Sequence, residues 1–139
     1  MGLFAWNDAY FLGLPVVDNE HQALFVVADQ LNEAISRGEG TRAVKNIATR
    51  LVSAISSHFE HEEALMHHYR YPDVEDHADE HRLLMERMLK VKKLLDAGAL
   101  TIPSDTLPFF RNWMDRHIRK YDLAAVRHIR ANDMAVLES

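Results

Sequence analysis

The chain has no cysteine among its 139 residues. That absence removes thiolate nucleophiles, disulfides and soft-metal sites, and it leaves any bound metal to nitrogen and oxygen donors. No run approaches the ~18 consecutive apolar residues of a membrane-spanning helix. The opening residues Met1-Gly2-Leu3-Phe4-Ala5-Trp6-Asn7-Asp8 carry no basic stretch followed by an apolar one. A cytoplasmic location without membrane insertion is therefore expected. Basic residues are outnumbered: 16 Lys and Arg against 21 Asp and Glu give a formal charge of -5. Without a positive field to gather phosphates, nucleic acid is not an expected partner. Glycine (5) and proline (4) are scarce, so each one is informative as punctuation.

What is present is enough for one domain with a real core, since apolar residues make up 47% of the chain. Residues 1–17 hold Gly13 and Pro15 among scattered aromatics, which suits an ordered, non-helical arm lying across a body. Four helical stretches follow, at about 18–37, 41–70, 73–97 and 105–131. Asp18 and Thr41 are the expected caps of the first two. Gly38-Glu39-Gly40, Tyr71-Pro72 and Gly98 close the first three, and Pro108 is tolerable only in the first turn of the last. Short connections place successive helices side by side, so the expected fold is all-α: an antiparallel up-down-up-down four-helix bundle with an N-terminal arm.

Periodicity shows which side chains turn inward. The first helix runs Leu24, Ala28, Leu31, Ile35, and three positions before Leu24 stands His21. In the second helix, Val44, Ile47, Leu51, Ile55 lead into His58 and Glu62. The third opens with His77 and His81 before Leu84, Met88, Val91, Leu95. The fourth reads Phe110, Trp113, His117, with Asp122 near the same line. In an alternating bundle these seven polar residues fall in one layer.

Singly, none of them decides anything, because a histidine on an apolar face is usually a satisfied core residue. Together they are costly. A buried polar group without a partner costs about 1–3 kcal/mol, against a whole-domain stability of about 5–15 kcal/mol. A mutual hydrogen-bond network is one answer; divalent metal is the simpler one, since imidazole and carboxylate coordinate it directly. Seven donors exceed what one ion with an open position takes, so two ions are implied. Five imidazoles and two carboxylates suit iron, zinc, copper or nickel better than calcium or magnesium. With both carboxylates and one solvent-derived oxygen bridging, three histidines complete one ion, and two leave the other a free position for a small ligand. No Glu-x-x-His occurs, which separates this set from the ferritin-like carboxylate proteins. The step from His117 to Asp122 turns about 140° on a regular helix, so a widened π-turn or a broad two-metal centre is needed to bring both inward. Arg119 and Lys120 are expected to extend to solvent, and His61, His67, His68 and His128 to be ordinary surface histidines.

Several motifs resemble those of the hemerythrins, and more closely the single-domain bacterial members: Trp6-Asn7-Asp8, the run Gly13 to His21 (GLPVVDNEH), His58-Phe59 with Glu62-Glu63, Tyr71-Pro72, His77 with His81, and Trp113 to Asp122 (WMDRHIRKYD). The resemblance covers nearly the whole chain. It implies a non-haem di-iron centre with a bridging oxo or hydroxo group. His77, His81 and His117 would hold one iron and His21 and His58 the other, with Glu62 and Asp122 bridging. Dioxygen would bind reversibly at the iron of His21 and His58. Leu24, Phe59, Trp113 and Ile118 adjoin the ligands and are candidate walls of an oxygen pocket that slows autoxidation, although core packing alone would also account for them. The implied role is transport, storage or local supply of oxygen by a monomer, without enzymatic activity, delivering to an oxygen-consuming enzyme. The alternative is an oxygen or redox sensor read by a partner protein.

Overall fold

The computed structural model describes residues 3–133; residues 1 and 2 of the expected arm lie outside them. Four long helical rods form an all-α bundle. They are α1 (Pro15–Ser36), α2 (Thr41–His68), α3 (Val74–Asp96) and a last rod made of α4 (Thr106–His117), a π-turn (Ile118–Asp122) and α5 (Leu123–Asn132). The backbone stays right-handed helical through His117, Ile118 and Leu123, so the last rod is continuous. α1 packs on α2 and α2 on α3, as short connections between antiparallel neighbours require. Among the described residues no helix is long and apolar enough to cross a membrane.

The helix ends follow from local chemistry. α1 stops in a Schellman closure: Glu39 N–H donates to the Ala34 carbonyl and Gly38 N–H to that of Ile35, with Gly38 at φ +68°. α2 closes the same way, Tyr71 N–H donating to Met66 and Arg70 N–H to His67, but here Arg70 holds the left-handed conformation at φ +54°. An arginine there costs about 1 kcal/mol relative to glycine, and Pro72 beyond it prevents the helix from running on.

Both expected caps are corrected. α1 begins at Pro15, whose missing N–H falls among those a helix start leaves unpaired anyway. Asp18 instead lies buried in the first turn, where its carboxylate accepts from the backbone N–H of Leu12 at 2.9 Å and of Gly13 at 3.1 Å. It fastens the arm to the helix. Gly13 sits at φ +90°, and a side chain there would collide with the Arg130 guanidinium. Thr41 is the first residue of α2 rather than its cap, because the closure of α1 extends to Glu39 and leaves Gly40 at the boundary.

The arm is ordered, with one 3-10 turn (Asp8–Tyr10) that the sequence did not announce. Phe4 packs against Phe25 and Phe110, and Tyr10 OH donates to Asp115 at 2.6 Å. The arm covers that end of the groove between α1 and the last rod. Leu31, Leu51, Leu84, Leu95 and Phe110 fill the centre with essentially no exposure. At one end of this apolar column the core turns polar.

Candidate metal centre

All seven candidate ligands lie at that end, and every one of them is buried: His21, His58, Glu62, His77, His81, His117 and Asp122. α1 contributes from its first turns, α2 from its last, α3 from its first, and the last rod from its middle. Alternating helix direction brings these positions to one level.

The π-turn decides the last rod's contribution. Leu123 N–H donates to the Ile118 carbonyl five residues back, so this one turn is wider than the usual ~3.6 residues. Asp122 thus returns to the same side as His117, and its Oδ1 stands 3.1 Å from His117 Nε2. Of the residues in between, Arg119 and Lys120 point outward: Arg119 pairs with Asp115 at 3.7 Å, and Lys120 Nζ sits 5.4 Å from the Tyr121 ring centre, while Ile118 stays buried.

The donor atoms divide into two groups. Glu62, His77, His81, His117 and Asp122 form one; His21, His58, Glu62 and Asp122 form the other, and the two carboxylates belong to both. Each carboxylate splits its oxygens between them. Glu62 Oε1 lies 2.7 Å from His77 Nε2 and 3.2 Å from His81 Nε2, while Oε2 lies 3.2 Å from His58 Nε2 and 3.8 Å from His21 Nε2. Asp122 Oδ1 lies 3.0 Å from His77 Nε2, and Oδ2 lies 3.1 Å from His21 Nε2.

These approaches are poor hydrogen bonds. Both oxygens of Glu62, both of Asp122 and both ring nitrogens of His21 are buried without a properly directed partner among the described residues. His117 Nε2 faces His77 Nε2 at 3.1 Å and His81 Nε2 at 3.2 Å. Ligands at right angles on an ion ~2.1 Å away stand about 3 Å apart, so the spacing and aim are those of donors converging on shared centres. The donor set and its orphaned atoms fit a pair of divalent or trivalent ions.

Outer contacts fix the rings. His81 Nδ1 bonds Glu63 at 2.7 Å, and Phe59 stacks on its ring with centroids 3.8 Å apart and planes 4° from parallel. Trp113 (13°) and Tyr121 (16°) sandwich the His117 ring. His58 Nδ1 bonds Glu20 at 2.8 Å, and the other oxygen of Glu20 bonds His61 Nδ1 at 2.6 Å. Nδ1 bonding of this kind leaves Nε2 free to donate to a metal. In the sequence Glu20 and Glu63 stand only inside the motifs GLPVVDNEH and Glu62-Glu63, with no role of their own; their one signal is that each adjoins a candidate ligand. His61 is largely exposed, and its pairing with Glu20 gives it more than a solvation role. His128 is half-buried, with Nε2 within hydrogen-bond distance of the Tyr69 carbonyl at 2.7 Å, where it helps close α2. Leu24, Phe59, Trp113 and Ile118, which adjoin the candidate ligands in the sequence, are all buried.

The charge balance without metal is telling. Burial alone would lower the pKa of His58 and of His77. Glu20 and Glu62 outweigh it at His58, pushing it up to about 10, and Asp122 with Glu62 push His77 up to about 9. Burial would raise Glu62 and Asp122, yet the surrounding histidines hold both below the usual carboxylate range. Two buried carboxylates therefore require positive charge at this spot, supplied by protons when not by metal.

Comparison with known proteins points the same way. The model of the hemerythrin HHE cation binding domain matches residues 12–129. A bacteriohemerythrin of Methylococcus capsulatus is 28% identical over 123 residues, 88% of this chain and 93% of that one. A bacteriohemerythrin of Pseudomonas aeruginosa is 28% identical over 131 residues, covering 92% and 84%. A wild-type hemerythrin crystal structure superimposes with a TM-score of 0.85 at 26% identity, over 91% of this chain and 98% of that one.

Proposed function

The chain belongs to the hemerythrin family, and from that premise we propose that its buried centre binds dioxygen reversibly, for transport, storage or local supply. The observation that carries this reading is the division of donors: three histidines on one side, two on the other, and two carboxylates shared. In it, His77, His81 and His117 would hold one iron, His21 and His58 would hold the second, and Glu62 and Asp122 would be shared between them. The iron pair, when bound, supplies the electrons that dioxygen borrows and returns.

The protein's own residues do the rest. The stacked rings and Glu63 keep the three-histidine side rigid. Leu24, Phe59, Trp113 and Ile118 are the apolar walls of the oxygen pocket, Leu24 one turn from His21 on the two-histidine side and Phe59 and Trp113 against the rings of the three-histidine side. None of the four carries an ionisable group, which favours holding a ligand over acid-base turnover of it.

Metal analysis with absorption spectroscopy tests the proposal. About two irons per chain, with a visible band that appears on oxygenation of the reduced protein and disappears when oxygen is removed, is the expected result. Steady consumption of peroxide without reversible binding would instead make it an enzyme, and a spectrum indifferent to oxygen would refute the reading.

A further inference from the structure

A cleft of about 200 Å³ opens between α1 and α2 beside the two-histidine half of the centre. Its walls are Glu20, Ala23, Leu24, Ala54, Ser57 and His58, and its accessible surface is mostly apolar. The rim residues Ala23 and Ser57 are exposed and Ala54 is half-buried; the floor residues Leu24 and His58 are fully covered. The path inward therefore runs between small side chains and ends on a ligand and on the leucine one helical turn after His21.

On the three-histidine half, large groups cover the candidate ligands. A second cleft of about 280 Å³ opens there, but Tyr71, Asp73, Asp76, Lys120, Tyr121 and Ala124 line it, with no candidate ligand among them. Phe59 is buried between His58, His81 and Trp113, while Trp113 covers one face of His117 and Tyr121 the other. Glu20 is tied on both carboxylate oxygens, to His58 and to His61, so this part of the rim is held in place. A mouth of small residues, a braced rim and an apolar floor make a passage for a small uncharged molecule. The Glu20 carboxylate at the rim disfavours anions by charge.

We propose that this α1–α2 cleft is the port through which dioxygen reaches and leaves the His21/His58 side of the centre, with Leu24 as the side chain that moves to let it pass. The inference rests on the oxygen-binding reading above. A port changes how fast a ligand comes and goes without changing its final contacts, so narrowing it slows entry and exit alike.

Two substitutions narrow it. Ser57→Phe covers the mouth from an exposed position, leaving the helix packing untouched; Ala54→Leu fills the throat. In stopped-flow mixing of the reduced, iron-loaded chain with oxygen, each lowers association and dissociation rates by about fivefold or more and shifts affinity by less than about twofold. Xenon is an iron-independent probe, since apolar cavities of about 150 Å³ hold it. Xenon NMR of the wild type should report binding in the cleft, and both substitutions should abolish it.

The port is overturned if oxygen rates are unchanged in both variants although xenon is excluded, if xenon does not enter the wild-type cleft, or if affinity moves as much as the rates do. A wild-type protein whose spectrum ignores oxygen refutes the functional reading instead, a result distinguishable from normal oxygen binding that is blind to the two substitutions.

Discussion

The two halves of the centre are held in different ways. Around His77, His81 and His117, aromatic rings lie flat on the ligands: Phe59 on His81, Trp113 and Tyr121 on either side of His117. Around His21 and His58 there is no such stack among the described residues; the two rings meet edge to face at 4.6 Å, and His58 is steadied by one exposed-side carboxylate, Glu20. Flat stacking removes rotational freedom at both ring faces, whereas an edge contact beside leucine and alanine leaves space. The lesson is a division of labour within one cluster: one half is built for rigidity, the other for access.

The largest effect is expected from removing the metal that both halves share. A ligand present at about a thousandfold its Kd stabilises by about 4 kcal/mol, so chelation should lower Tm by roughly 15 °C for a chain of this size. Calorimetry with and without chelator measures it; equal melting temperatures would rule out a metal in this layer. The effect should depend on pH. In the metal-free chain both histidines have raised pKa values, so their stabilising charge is complete below the unfolded value near 6.5. It is lost as pH rises through about 9 for His77 and about 10 for His58. Metal requires both rings neutral and displaces their protons. The gap between loaded and metal-free Tm should therefore widen from pH 6 to pH 9.

Next in size is the contrast between a shared ligand and a one-sided one. Asp122→Asn weakens both halves, and metal content should fall from about two ions per chain to below one. His21→Ala touches only the accessible half, and about one ion should remain. Equal losses in the two variants, measured by elemental analysis after desalting, would abolish the distinction between the halves.

The smallest effect concerns the outer carboxylates. Glu63→Gln and Glu20→Gln each weaken the orientation of one ligand, which typically costs about 10- to 100-fold in metal affinity. Glu20→Gln should lie at the upper end, because His58 lacks a stacking partner as close as the one Phe59 gives His81. Competition with a chelator of known affinity ranks them, and the reverse order would contradict the role assigned to the rings.

Much of the fold was legible because helices advertise themselves by period. Polar residues replaced apolar ones at single turns of an otherwise regular stripe, which put His21, His58 and Glu62, His77 and His81, and His117 on inward faces. The awkward five-residue step to Asp122 called for a wider turn or a broad two-metal centre, and Ile118–Asp122 is a π-turn. Asp18 was misread because an acidic residue near a helix start suits both a cap and a buried brace, and only the position of the arm separates the two. Glu20 and Glu63 carry no signal of their role and His61 is exposed as expected, because all three lie just off the inward stripe, where periodicity has no power to choose.

By itself the sequence determined the types of donor, the faces that carry them and the need for positive charge among them. Those follow from covalent order and from the cost of burying unpaired polar groups. Only the tertiary structure decided which oxygen of Glu62 and Asp122 serves which histidines, which rings are clamped, and where small residues leave a way in. Such orientations arise when side chains from different helices pack against one another, and no single helix encodes that packing.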